Sequence, residues 1–218
     1  MSRQPTRRLS LVDRVIVDMD RGLKALGAES PTQGRDNPAG EVPEAAGLSQ
    51  AQRRHAAGLM RVDHAGEVAA QALYHGQALT ARTPRLRDAM EQAAREEGDH
   101  LRWCSERLDE LGDQASRLDP LWYIGSFLIG AVAGLAGARW SLGFVVETER
   151  QVVRHLEGHL SSLPDNDRRS RAILEQMRAD EAGHATRALE SGAAELPEPV
   201  KRLMAITARV MTETAYRV

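Results

Sequence analysis

One cysteine, eight aromatic residues and no excess of positive charge set the first limits on this 218-residue chain. The lone Cys104 excludes an internal disulfide and any cysteine-based zinc site, and it suits a reducing compartment. A formal net charge of −2, with acids and bases interleaved, lacks the basic face on which nucleic-acid binding depends, so no nucleic-acid partner is expected. The pairs Arg7-Arg8, Arg53-Arg54 and Arg168-Arg169 read as solvated helix ends. No Gly-x-Gly-x-x-Gly follows a strand pattern, so no dinucleotide fold is expected, and the first residues lack the apolar run of a secretory signal. β-Branched residues are sparse outside residues 121–153, whereas Ala, Leu, Arg, Glu and Gln dominate. That composition predicts an all-α fold, and 42% hydrophobic content can supply its core.

Residues 10–26 place Val12, Ile16, Met19, Leu23 and Leu26 at spacings of three and four, an amphipathic helix. The Gly-, Pro- and Asp-containing stretch 27–47 has no apolar period and reads as a mobile linker. The chain is thus divided into residues 1–48, helix plus linker, and a compact domain over 49–218. Ser49 and Gln52 fit a capping box that opens a long helix to about residue 82. Thr83-Pro84 caps the next, which runs to Gly112, and Asp119-Pro120 is expected to cap a third in the same way. From 120 to 138 there is no charged side chain, and Gly125, Gly130, Gly134 and Gly137 recur among apolar residues. The run reaches the lower bound for a membrane span, yet Arg139 follows at once. A hydrophobic helix or bent pair over about 120–146, seating the protein in one leaflet, is the preferred reading; a buried core helix is the alternative. Trp122, Tyr123 and Trp140 flank it as interfacial aromatics would. Helices over 141–160 and 167–191 follow, and one over 200–215 is expected to cover the bundle.

Two short words recur in this helical frame: Glu97-Gly-Asp-His100 and Glu181-Ala-Gly-His184. Each sets a carboxylate and an imidazole one turn apart on one helix face, a metal-ligand spacing. One such word is weak evidence, since His100 could equally be a core histidine bonded to a carbonyl. Each word, however, follows a lone Glu by roughly thirty residues, Glu67 among Ala65, Gly66, Ala69 and Ala70, and Glu149. Glu149 sits on the apolar stripe of Val145, Val146, Val152, Val153 and Leu156, whereas Glu147 faces Arg150, Gln151 and Arg154 and reads as solvated. Four helices with an inward Glu, two of them continuing to a His three residues on, form the pattern of ferritin-like di-iron and di-manganese bundles. Four carboxylates balance two divalent cations, and oxygen donors with two imidazoles suit iron, or less well manganese. His155 and His159 are four apart on an offset face, and His155 reads as a group beside the metal or on the substrate side.

The residues resemble the demethoxyubiquinone hydroxylases, di-iron monooxygenases of ubiquinone biosynthesis, in their bacterial branch. The resemblance rests on Leu59-Met-Arg-Val-Asp-His-Ala-Gly-Glu67, Gln71-Ala-Leu-Tyr-His-Gly-Gln77, Glu97-Gly-Asp-His100-Leu, Thr148-Glu149 with His155, Asp180-Glu181-Ala-Gly-His184 and the tail Thr214-Ala-Tyr-Arg. It implies a metal set of Glu67, Glu97, His100, Glu149, Glu181 and His184 with Glu97 and Glu181 bridging two irons, and Tyr74 and His155 beside it. It further implies dioxygen as co-substrate, a polyprenyl benzoquinol substrate, and an electron donor such as reduced nicotinamide or a quinol. A peripheral or monotopic seat on the cytoplasmic face of the cell membrane follows, with a homo-oligomer or an accessory biosynthetic protein as partner. A ferritin-like iron or peroxide oxidase without a lipid substrate is the competing enzyme reading. A helical membrane adaptor is the non-enzymatic one.

Overall fold

A computed structural model of the chain describes residues 11–27, 31–43 and 47–218. Among the described residues there are seven helices and no strand: α1 (Leu11–Leu26), α2 (Gln50–Thr80), α3 (Pro84–Leu111), α4 (Asp119–Leu135), α5 (Ala138–Ser162), α6 (Arg168–Glu190) and α7 (Glu198–Ala215). The punctuation acts through identifiable caps. Ser49 and Gln52 close a reciprocal capping box on α2, and the Thr83 side chain accepts from the Leu86 N–H with Pro84 in the first turn of α3. Gly112 ends α3 in the left-handed conformation, and Asp167 caps α6 by accepting from the Ser170 N–H. Asp119 does not cap α4. It lies buried in the first turn, where its carboxylate meets His64 Nδ1 at 3.1 Å, so the helix opens on a cross-link to α2 instead.

α2 runs along both α3 and α4, and α5 along α6. The pairs α2/α3 and α5/α6 face each other across two apolar clusters. One joins Met60, Trp103, Leu108, Leu156, Ile173, Leu174 and Met177, from the start of α2 and α6 and the end of α3 and α5. The other joins Tyr74, Ala78, Met90, Val145, Val146 and Ala188, from the opposite ends. Each large buried aliphatic contributes about 1.5–3 kcal/mol, so the two clusters clamp the ends and fix the geometry of whatever lies between them. A buried ion pair adds a cross-link, with Arg107 donating to Asp167 at 2.8 Å and to Ser170 at 2.9 Å.

The glycines of the uncharged run are there for close approach. A Cβ on Gly130 would overlap the Leu73 carbonyl, one on Gly76 the Phe127 carbonyl, and one on Gly134 the Thr80 hydroxyl. α4 therefore lies backbone to backbone on α2. Gly130→Ala is expected to cost at least about 1–3 kcal/mol, as overpacking does where backbone cannot yield, and a shifted denaturant midpoint with unchanged m-value would register it. At Gly137, with φ of +104°, the chain turns from α4 into α5, so the uncharged segment is a bent pair. No described helix is long and apolar enough to cross a membrane. One side of α4 is nonetheless bare: Leu121, Ile124, Leu128, Val132 and Leu135 are exposed, as is Trp140 beyond the bend.

Three expectations change. α7 does not cover the bundle with its apolar face. It touches α2 and α5, buries only Ala215, and leaves Val200, Leu203, Ile206 and Val210 exposed. Residues 31–43, linker-like in composition, are held against the domain: the Gln33 and Gly34 N–H groups and the Arg35 guanidinium all donate to Asp99, and Asn37 donates to Glu106. A polar segment orders here because a buried carboxylate needs its donors. Of the apolar stripe proposed for α1, the side chains of Val12, Ile16 and Met19 lie outside the described residues. Leu23 is exposed, and Gly22 and Ala25 make the buried contact, Gly22 against the Tyr123 ring.

Candidate metal centre

Midway between the apolar clusters, six buried side chains from four helices converge. α2 supplies Glu67, α3 supplies Glu97 and His100, α5 supplies Glu149, and α6 supplies Glu181 and His184. They form two overlapping groups, each with ligand atoms within 4.8 Å of one another: Glu67, Glu97, His100 and Glu181; and Glu97, Glu149, Glu181 and His184. Glu97 and Glu181 are common to both. His100 Nδ1 stands 3.1 Å from Glu97, 3.0 Å from Glu181 and 3.6 Å from Glu67. His184 Nδ1 stands 3.0 Å from Glu181 and 3.3 Å from Glu97. Helical spacing produces this without strain, since a residue and the third one after it share a face.

Glu149 points inward, hydrogen-bonded by the Tyr74 hydroxyl. Glu147 was read as solvated. It is in fact buried too, but turned aside, accepting from Gln151 at 2.8 Å and pairing with Arg154 at 3.5 Å. Its i,i+4 amide partner shields it from solvent without bringing it to the centre. His155 joins neither group; it stands beside His159 and Asp63, one side chain removed along the bundle.

What the sequence reading passed over is the support of the imidazoles. The second nitrogen of each histidine faces an acid from the opposite pair of helices. His100 Nε2 lies 2.9 Å from Asp180, and His184 Nε2 lies 2.7 Å from Glu96. Each of these acids immediately precedes a motif glutamate, and each is fixed by an arginine: Arg35 donates to Asp180 at 2.7 Å and Arg187 to Glu96 at 2.8 Å. The acid pairs Glu96-Glu97 and Asp180-Glu181 were the signal available in the sequence. An imidazole so held presents Nδ1 as its free donor, the outer partner fixing ring orientation and raising basicity.

Electrostatics test whether cations fit. Four carboxylates in a dry interior need compensating charge. Burial pushes Glu67 and Glu149 well above the usual carboxylate range, reinforced at Glu149 by Glu181 and Glu97. Burial alone would strip His100 and His184 of protons. Surrounding acids outweigh it and raise both, Asp180 and Glu181 foremost at His100, Glu97 and Glu181 at His184. Those imidazoles in turn outweigh burial at Glu97 and Glu181 and hold both low. Glu67 Oε2 and Glu97 Oε1 accept no hydrogen bond, so oxygen lone pairs point into the centre without a partner. Hard oxygen donors, two imidazoles and orphaned lone pairs fit a pair of divalent cations. Protons and cations then compete for the same atoms. Metal loading is therefore expected to release roughly two to four protons per chain, and affinity to rise with pH because the imidazolium and carboxylic protons must leave; a weakly buffered titration with indicator dye measures it.

A small apolar cleft lies between α2 and α5, lined by Leu73, Tyr74, Phe144, Val145 and Thr148, and Tyr74 links it to Glu149 through its hydroxyl. Leu73 is also where the glycine face of α4 crosses α2.

Comparison with known proteins agrees in extent. Residues 54–215 match the family model described as "Ubiquinone biosynthesis protein COQ7". A protein of Nitrosococcus oceani named 3-demethoxyubiquinol 3-hydroxylase is 58% identical over 210 residues, covering 96% of this chain and 98% of that protein. Proteins of the same name from Alcanivorax borkumensis and Chromobacterium violaceum are 53% and 54% identical, over 97% and 95% of this chain and 99% and 100% of theirs.

Proposed function

Because the chain belongs to the COQ7 family of ubiquinone biosynthesis proteins, we propose that it is a 3-demethoxyubiquinol 3-hydroxylase, a monooxygenase that adds one oxygen atom from dioxygen to the ring of a polyprenyl methoxy-methyl-benzoquinol. The observation that carries this to chemistry is the sharing of Glu97 and Glu181 between two carboxylate and imidazole groups. In this reading the helices α2, α3, α5 and α6 are a ferritin-like four-helix bundle. Glu67 and His100 would hold one iron and Glu149 and His184 the other, with Glu97 and Glu181 within reach of both. Iron held there would supply the redox chemistry that dioxygen activation needs.

The chain's own residues do the rest. Asp180 and Glu96 keep His100 and His184 turned with Nδ1 inward. Tyr74, its hydroxyl held protonated chiefly by burial and the Glu149 charge, donates to Glu149 and fixes that carboxylate at the mouth of the cleft. Leu73, Phe144 and Val145 form an apolar lining beside Tyr74 that keeps bulk water out and would have to part to admit the quinol ring. The polyprenyl tail stays with the apolar face of α4, which lies in one leaflet at the cytoplasmic face of the cell membrane; α7, with Leu203, Ile206 and Val210 bare, is the second element of that seat. Electrons arrive from an outside donor of the reduced-nicotinamide or quinol class.

Quinone extraction from a strain lacking this protein tests the reading. Accumulation of the demethoxy quinone, reversed by the wild-type gene and not by one encoding Glu181→Ala, is expected; a normal quinone profile would sink it.

A further inference from the structure

A second constellation of ligands stands apart from the six. Asp63 of α2 and His155 and His159 of α5 bring three donor atoms together: Asp63 Oδ1 lies 2.9 Å from His159 Nδ1 and 3.6 Å from His155 Nε2. The edges of a tetrahedron with metal bonds of about 2.0–2.1 Å are about 3.3 Å long, so these separations bracket what a tetrahedral cation requires. Both histidines reach the site because residues four apart share a helix face.

The hydrogen bonding is incomplete in a telling way. His159 Nδ1 bonds the other Asp63 oxygen, Oδ2, at 3.1 Å, whereas Asp63 Oδ1 and His155 Nε2 are shut from solvent and have no hydrogen-bond partner. Asp63 itself is only 3% exposed. The imidazole rings approach to 3.9 Å between centroids at 59°, a packing that disfavours charge on both. Burial first, then His159, lowers the His155 pKa to about 4, so at neutral pH its ring nitrogen offers a lone pair. The His155 side chain retains 30% exposure, so the cluster lies just beneath the surface with its donor atoms covered.

We propose that Asp63, His155 and His159 form a mononuclear site for a borderline divalent transition cation of the Zn2+ type, with a water in the fourth position. Two imidazoles and one carboxylate around an open position is a zinc-like donor set. Asp63 precedes Glu67 by four residues, about 6 Å along α2, so the ion ties α2 to α5 one turn from the six-ligand centre. The site does not depend on what that centre binds or catalyses.

Equilibrium dialysis of the full-length protein against micromolar ZnCl2, with metal counted per chain, tests it. His159→Ala is expected to bind about one Zn2+ fewer than wild type, and the same difference is expected when both carry Glu181→Ala. That second comparison separates failure of this site from failure of the six-ligand centre. His155→Gln keeps the side chain's bulk and the His159–Asp63 bond, and guards against a folding artefact: with an unchanged far-ultraviolet spectrum it too should lose about one ion, and in the Glu181→Ala background Zn2+ should raise its melting temperature less than that of Glu181→Ala alone. Unchanged stoichiometry in both histidine variants would overturn the proposal.

Discussion

Glu181→Ala is expected to empty the six-ligand centre and abolish hydroxylation. Glu181 Oε1 lies 3.0 Å from His100 and Oε2 3.0 Å from His184, and the residue belongs to both ligand groups, so its loss would strip both proposed metals of one donor at once. Iron after anaerobic reconstitution should fall from about two per chain to fewer than one, and turnover by roughly a thousandfold or more. The contrast is Glu147→Gln. That side chain is also buried on α5, but bonded to Gln151 and Arg154, so iron content and turnover should stay near wild type. Two irons retained in Glu181→Ala would exclude a shared ligand. A loss in Glu147→Gln equal to that in Glu149→Gln would mean that the α5 ligand had been misassigned.

Leu128→Glu is expected to detach the protein from lipid while leaving iron in place. Leu128 is 60% exposed on α4 beside Ile124 and Val132, and its helix is anchored to α2 by glycines on the opposite face, so the substitution reaches no ligand and no core contact. Withdrawing one leucine from a leaflet forfeits about 1.5–3 kcal/mol, and setting a carboxylate there costs about another 2.5–3.5 kcal/mol. Together that is roughly a thousandfold or more in partitioning. Vesicle flotation measures it, with iron analysis as the control. A variant that floats fully would remove the α4 face from the membrane contact. Hydroxylation of a water-soluble short-chain quinol should survive better than that of a long-chain one, because the cleft beside Tyr74 is untouched.

The sequence carried a large part of this arrangement because helical spacing is local. Glu97 with His100 and Glu181 with His184 are read from positions three apart, and Ser49, Thr83, Gly112 and Asp167 announce their helix ends by short-range bonds. Choosing between Glu147 and Glu149 needed only the apolar neighbours one turn away. Whatever depended on distant partners stayed hidden. Nothing near Asp99 in the sequence shows that the backbone of residues 33 and 34, some sixty-five residues upstream, covers it. Asp119 reads as a cap until His64 appears opposite. The glycines of α4 are visible in the sequence only as a recurrence, and their reason is the α2 backbone pressed against Gly130 and Gly134. Asp63 stands in the motif before Glu67, but nothing local marks it as a ligand, since its partners lie on another helix ninety-two and ninety-six residues away.

The crossed support of the two imidazoles has a consequence for the timing of assembly. As the chain emerges from the ribosome, α2 and α3 are complete while the acid that orients His100 is still unmade on α6. The later pair in turn depends on Glu96 of α3 to orient His184. Each hairpin alone is therefore a poor chelator with a free-swinging ring. If the centre holds iron as proposed, competence to hold it arrives only when the two hairpins dock, and a nascent or half-unfolded chain would be spared the damaging oxygen chemistry that a loosely held iron starts.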